Sequence, residues 1–335
     1  MKTERIGAEN FVQCLESKRQ AYHADYYAMY SSLYGGIVTD PVLMLLPMDD
    51  HVVHRGDGVF ESVKCVHGKI YNLRSHLERL YKSAEALQLA IPASREVLAA
   101  LVIETIQAGG QPDCCVRVLV TRGPGGLGAN PYECPEAQVY VLSYKLGASF
   151  MVKHPAGARV EISRVPPKNT FFAQIKSCNY LPNVLMAREA VDCGADFMAG
   201  FDEAGFLTEC ATENIGMVTK EGVLLVPNMG RILAGTTMLR VLELAEVLVR
   251  EGGLKAVRYA DITAPRMHEA SEILVFGTTR DVTAVVQFDG KPVADGKPGR
   301  VYALLSDLLH LDIYENEAMQ TPVSIPFAAA SLACP

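Results

Sequence analysis

Lys176 stands in an apolar run, Phe171-Phe-Ala-Gln-Ile-Lys176, and Glu209 follows in Leu207-Thr-Glu-Cys-Ala-Thr-Glu-Asn214. A lysine amine attacks a carbonyl only when neutral, and burial lowers its pKa toward that state. Phe171, Phe172, Ile175 and Tyr180 are the side chains expected to bury it. A carboxylate facing an aromatic ring nitrogen keeps that nitrogen protonated, so the ring can take electrons from a carbanion. Glu209 is the candidate for that role, on a strand end. Gly235-Thr-Thr237 precedes a strongly apolar helical pattern (Leu239, Val241, Leu242, Ala245, Leu248), which points backbone N–H groups and hydroxyls at an anion. Gly277-Thr-Thr279 offers a second hydroxyl turn, and Arg79 in His76-Leu-Glu-Arg-Leu80 can close an anion pocket with a bidentate fork. Taken singly, each feature has a plainer counterpart: a surface lysine at a strand end, a solvated glutamate in a hairpin, two ordinary N-caps and a surface helix arginine.

These side chains need a scaffold, and its outline is legible in the hydrophobic periodicity. Residues 10–33 read as a tyrosine-rich helix. Val59-Phe-Glu-Ser-Val-Lys-Cys-Val66 reads as a strand, with His67-Gly68 a tight turn into Lys69-Ile-Tyr-Asn72. Leu77, Leu80, Ala84 and Leu87 fall at helical spacing, and Ser94 to Ala108 reads as a second helix. Strands Cys114–Thr121 and Gln138–Tyr144 complete a small α/β domain over 35–146, after an N-terminal helical extension, 1–34. Gly147-Ala-Ser149 reads as a linker. Residues 150–312 are expected to form a larger strand-rich domain with helices at about 180–193, 236–252 and 298–310. Residues 313–335 read as a weakly ordered tail.

Composition removes several functional classes. The chain of 335 residues suits two packed domains, and 49% hydrophobic with 21% charged residues is ordinary for a soluble globular protein. A net charge of -7 and the lack of a basic stripe argue against nucleic acid. The polar start does not read as a signal peptide, the apolar runs are too short to span a bilayer, and nine scattered cysteines read as reduced thiols. A cytoplasmic protein is the expectation. Gly123-Pro-Gly-Gly-Leu-Gly128 has the letters of a dinucleotide fingerprint, but Ala129-Asn-Pro-Tyr-Glu-Cys-Pro135 follows where a helix must start. Asp49-Asp-His-Val-Val-His54 lacks a second ligand cluster, so a structural turn is expected and no metal site. No G-x-S-x-G serine is present for acyl transfer.

The ordered set His54-Arg-Gly-Asp-Gly-Val-Phe-Glu61, His76-x-x-Arg-Leu80, Ile175-Lys-Ser-x-Asn-Tyr180, Glu209-x-x-x-x-Asn214, Ile232-Leu-x-Gly-x-Thr237 and Gly277-Thr-Thr279 resembles the class IV aminotransferases, fold-type IV pyridoxal phosphate enzymes, over roughly residues 35–310. The resemblance implies an α+β, two-domain fold with a small N-terminal α/β domain and a larger pseudo-barrel domain. It implies pyridoxal 5'-phosphate as cofactor, with Lys176 forming the internal aldimine and Glu209 at the pyridine nitrogen. It further implies that Arg79, Thr236, Thr237 and Thr278 hold the phosphate, that Tyr180 supports the ring, and that Thr279 faces the substrate. Amino acid and 2-oxo acid substrates and a homodimer are implied as well.

Within the family, Met29-Tyr-Ser-Ser32, Gly35-Gly-Ile37, Met48-Asp-Asp-His51 and Asn179-Tyr-Leu-Pro-Asn-Val-Leu185 look like plant-type D-amino acid aminotransferases. Gly125-Gly-Leu-Gly-Ala-Asn-Pro131 and Leu207–Asn214 look closer to branched-chain L-amino acid aminotransferases, and 4-amino-4-deoxychorismate lyase shares the cofactor. Arg55 stands where bacterial relatives place an aromatic pocket residue. It is expected either to bind a substrate carboxylate with Phe60 packed on it, or to pair with Asp57 or Glu61. Leu127 and Ala129 replace the bacterial D-enzyme's arginine-and-histidine carboxylate trap.

Overall fold

The computed structural model describes residue 3 and residues 5–324. The chain forms two compact units: one runs to Leu146 and takes the chain back from Gln320, and the other is Gly147–Met319.

The first unit opens with α1 (Ala8–Glu16) and β1 (Tyr26–Ser31), followed by β2 (Gly36–Val38) and α2 (His51–Arg55). The strand β1 corrects the helical reading of residues 10–33. Aromatic residues favour an extended, half-buried backbone, and Tyr26–Ser31 is paired on one side by β6 and on the other by β2. Next come β3 (Gly58–Val66), β4 (Lys69–Tyr71), α3 (Leu73–Ala86), α4 (Arg95–Gly109), β5 (Cys114–Thr121) and β6 (Gln138–Lys145). The sheet is antiparallel throughout. Helices α3 and α4 pack on it, turning Leu77, Leu80 and Ala84, and Leu98, Val102 and Ile106, into the buried core. Each fully buried leucine there contributes about 1.5–3 kcal/mol. Ser94 caps α4 by accepting from the Val97 N–H.

The second unit contains α5 (Phe150–Lys153), β7 (Ala158–Ile162), α6 (Thr170–Ala173), α7 (Leu181–Cys193), β8 (Phe197–Ala199), β9 (Asn214–Val218), β10 (Val223–Pro227) and α8 (Thr236–Arg250). It continues through β11 (Ala256–Ala260), α9 (Ala264–His268), β12 (Glu272–Gly277), β13 (Asp281–Phe288), β14 (Lys291–Pro292) and α10 (Arg300–Tyr314). Its mixed sheet runs β11-β10-β9-β12-β13-β7-β8, with β14 beside β13. Phe197 and Ala199 from one edge share a core cluster with Leu225, near the other edge, and with Ile215, Met217, Val275 and Phe288. One core reached from both ends of the sheet requires it to curl, the half-barrel of a two-domain α/β fold.

Beyond Met319, β15 (Gln320–Pro322) pairs with β4 and extends the first sheet to the order β15-β4-β3-β5-β6-β1-β2. This segment differs from the weakly ordered tail expected after residue 312. Helix α10 continues to Tyr314 because Leu309 and Ile313 are buried, and the strand satisfies an otherwise open sheet edge. The rest of the expected tail, from residue 325, lies outside the described residues.

Candidate active site

In the second unit, two loops and one helix end meet at one end of the sheet. Strands β9 and β12 pair with Asn214 opposite Phe276, so the start of β9 and the end of β12 share that end. Glu209 lies in the loop before β9, not on a strand end. Its backbone is held by the Gly200 N–H donating to the Glu209 carbonyl at 3.1 Å. Its carboxylate Oε2 accepts from the Leu233 N–H at 3.0 Å and from Asn214 Nδ2 at 3.4 Å. The same Asn214 amide donates to the Leu233 carbonyl at 3.0 Å. Asn214 thereby ties the carboxylate to the segment entering α8.

Gly235 is the N-cap of α8, and a Cβ there would overlap Asn214 Oδ1, so only glycine lets the helix end come this close. Thr236 and Thr237 are buried in the first turn, where backbone N–H groups lack intrahelical acceptors. The β12–β13 hairpin presents Thr278 and Thr279 just beyond Gly277. Its Arg280 lies 3.5 Å from Glu213, which is buried one residue before Asn214.

Lys176 lies in the turn linking α6 to α7 and is half-buried. Phe171 and Phe172, expected to bury it, are 55% and 42% exposed. They belong to α6, capped by Asn169, and the one-turn helix directs both rings outward while Ala173 and Ile175 face in. The lysine linker is nonetheless anchored to the Glu209 loop. Asn183 of α7 donates to the Ala211 carbonyl. Ala173, Pro182 and Asn183 line one small cavity together with Thr208, Glu209 and Cys210. Ser177 Oγ, next to Lys176, is wholly buried without a hydrogen-bond partner. Tyr180 precedes α7, and the ammonium of Lys168 lies 5.1 Å from its ring centroid. Burial lowers the Lys168 pKa and the Glu209 carboxylate pushes it back up; burial pushes the Cys210 thiol well up.

Arg79, Arg55 and Phe60 belong to the first unit. The Arg79 fork grips Glu61 through Nε and Nη2, both at 2.7 Å, and His76 Nδ1 sits 2.7 Å from the same carboxylate. Burial alone would raise the Glu61 carboxyl, but the Arg79 and His76 charges hold it well below the usual carboxylate range. The expected pairing of Arg55 with Asp57 or Glu61 is not formed. Asp57 pairs with Arg122 and Glu61 with Arg79, while Arg55 donates to the carbonyls of Gly128, Leu127 and His54. Phe60 packs under Arg117, whose guanidinium carbon is 5.0 Å from the ring centroid. The Asp49–His54 segment is helical turn chemistry: Asp50 caps α2 and accepts from Thr121, and His51 meets the Gly126 carbonyl.

Sequence reasoning missed Asn214, Glu61, Ser177 and Lys168 as site-building residues. Asn214, Glu61 and Ser177 stood inside the quoted motifs, but the partners of Asn214 and Glu61 are set by strand register and by a helix packed on the sheet.

A lysine linker, a carboxylate fixed by N–H donors and a helix N-terminus are the kinds of group that an anionic carbonyl cofactor requires. The sequence signature of amino-transferase class IV matches residues 58–288. The D-amino-acid transaminase, chloroplastic, of Arabidopsis thaliana is 37% identical over 289 residues, covering 86% of this chain and 77% of that protein. The D-alanine aminotransferase of Listeria innocua serovar 6a is 31% identical over 264 residues, covering 77% of this chain and 87% of that protein. Among solved structures, a T.th. branched-chain amino acid aminotransferase with pyridoxamine 5'-phosphate superposes with a TM-score of 0.82 at 27% identity, covering 89% of this chain and 99% of that one. The chain belongs to the class IV aminotransferases, whose cofactor is pyridoxal 5'-phosphate.

The residues present fit that cofactor. A half-buried amine, a carboxylate held by N–H groups, an orphaned buried hydroxyl at Ser177 and a glycine-opened helix N-terminus match its aldehyde, its ring nitrogen and its phosphate.

Proposed function

We propose that the protein exchanges an amino group between an amino acid, with a D-amino acid donor preferred, and a 2-oxo acid in a ping-pong cycle. The observation that carries this reading is the tie Glu209–Asn214–Leu233, which fixes the carboxylate beside the N-terminus of α8, with the Lys176 linker packed on the same loop. The cofactor supplies an aldehyde for amines to condense with and a ring that withdraws electrons once its nitrogen is protonated. Lys176 holds the cofactor at rest, then takes the substrate's α-proton on Nζ and returns it. Glu209 holds the proton at the ring nitrogen. Thr236, Thr237 and Thr278 bind the phosphate with the first N–H groups of α8, and Arg79 is assigned there too, its guanidinium plane fixed by Glu61. Tyr180 supports the ring, and Phe60 and Thr279 line the substrate side.

The D-donor is supported by the 37% identical D-amino-acid transaminase. Branched-chain L-amino acids are the second reading, supported by the structural likeness to the branched-chain enzyme. Coupled assays with D-alanine and L-leucine, each against 2-oxoglutarate, separate them: turnover only with L-leucine would overturn the D reading. Lys176→Ala should abolish the exchange and the visible band of the cofactor-loaded protein, and wild-type turnover in that variant would sink the mechanism.

We place the protein in the cytoplasm as a homodimer. Helix α7 exposes Leu181, Val184, Leu185 and Val191, and α6 exposes Phe171 and Phe172. Exposed apolar side chains of that kind fit a second copy of the chain. Val184→Glu should raise the dimer dissociation constant at least tenfold by sedimentation. Among the described residues, no helix is long and apolar enough to cross a membrane.

A further inference from the structure

The loop from β7 to α6 places a second lysine at the proposed site. Lys168 follows Pro166-Pro167 and directly precedes Asn169, the cap of α6, so its backbone is fixed on both sides. Its ammonium lies over the face of Tyr180 at 5.1 Å. Its side chain shares with Glu209 a cavity of about 10 Å³, room for one water, which retains the unpartnered polar atoms Thr208 Oγ1 and Asn183 Oδ1.

The charged and titratable groups facing that cavity are Lys168, Glu209, Cys210 and Arg231, with the Tyr180 phenol above the ammonium. Arg231 is committed to Asp202 and Asp261. Among the described residues, Lys168 makes no hydrogen bond or ion pair, so its charge is not cancelled by a contact partner. A lysine placed this way acts through space on Glu209 and Tyr180.

We propose that Lys168 is a positioning residue whose ammonium, over the Tyr180 ring and at the cavity it shares with Glu209, supplies a fixed positive charge that sets the proton affinity of the cofactor site. The inference rests on the assignment of Lys176, Tyr180 and Glu209 to the cofactor. A fixed cation favours the ionised carboxylate, strengthens the phenol as a donor, and disfavours any further proton on the bound chromophore. The partial burial of Lys168 lowers its own pKa while Glu209 opposes that, which keeps lysine and carboxylate electrostatically linked.

The test is a pH titration of the visible absorption band of the cofactor-loaded protein in wild type, Lys168→Met and Lys168→Arg, with cofactor affinity measured in parallel. Removing the charge in Lys168→Met should raise the midpoint by about 0.5–1 pH unit. Lys168→Arg, which keeps it, should stay within about 0.2 units of wild type. An unchanged midpoint in Lys168→Met, or an equal shift in both variants, overturns the proposal. Should Lys168→Met not fold, Lys168→Gln reads the same charge. If wild type shows no band that Lys176→Ala removes, the assignment of Lys176 fails first, and the proposal falls with it.

Discussion

Two glutamates divide the labour of the two units. Glu61, on β3, is wholly buried and is gripped by Arg79 and His76, so its charge is answered inside the protein. Glu209, in the loop before β9, is half-buried; the Leu233 N–H and the Asn214 amide donate to it, and the Lys168 ammonium shares its cavity without an ion pair. Neutral donors fix the position of a carboxylate while leaving its negative charge to act on a neighbour; cationic partners neutralise it. The first arrangement suits a group that must hold a proton on a ligand, and the second suits a scaffold that orients an arginine.

The largest effect expected from this contrast is on stability. Glu61→Ala leaves two basic groups in a buried site without their carboxylate and should destabilise the protein by about 3–5 kcal/mol in urea unfolding. Because the folded state depresses the Glu61 carboxyl, its contribution is present above the ordinary carboxylate pKa and is lost as pH falls toward the folded value. Wild type and variant should therefore converge in stability in acid. A gap that stays constant down to pH 2 would show that the ion pairs are not its source.

Glu209→Gln should do the reverse: turnover falls about 100-fold, while the urea midpoint stays at the wild-type value. If Glu209→Gln instead loses several kcal/mol of stability with turnover intact, the contrast between the two carboxylates collapses. Asn214→Ala tests how the position of Glu209 is kept. It removes the amide that donates to both Glu209 and Leu233, and should weaken cofactor binding about tenfold, corresponding to about 1.4 kcal/mol. Equilibrium dialysis with pyridoxal 5'-phosphate measures it, and unchanged affinity would assign the position of Glu209 to the backbone alone.

The sequence was most informative where a residue's environment follows from its own neighbours. Strand β3 was legible because Val59, Phe60, Val63 and Val66 recur up to the His67-Gly68 turn, and α4 because Ser94 marks its start. Strand β1 was misread because its tyrosines fit a helix face as well as a strand, and only pairing with β6 and β2 decides between them. Two of the four side chains expected to bury Lys176 point outward for a related reason: Phe171 and Phe172 are apolar, but a one-turn helix sets their direction, and hydrophobicity carries no direction. The Glu61–Arg79 grip joins a strand to a helix packed on it, a juxtaposition that neither motif encodes by itself.

Arg55 provides the smallest test, because its two readings differ in what it touches. Three backbone carbonyls, of His54, Leu127 and Gly128, receive its guanidinium, and Leu127 itself is largely exposed. An arginine engaged in this way shapes the 123–130 loop rather than supplying a charge to a carboxylate. At about 0.5–1.5 kcal/mol for each hydrogen bond, reduced by solvent exposure, Arg55→Ala should raise the KM for every amino donor by less than about threefold and leave kcat unchanged. The loop, by contrast, should become a faster site of limited proteolysis near Leu127. A KM increase above tenfold with the proteolysis rate unaltered would reverse the assignment: Arg55 would then act as a carboxylate partner, and the carbonyl contacts would be its resting position.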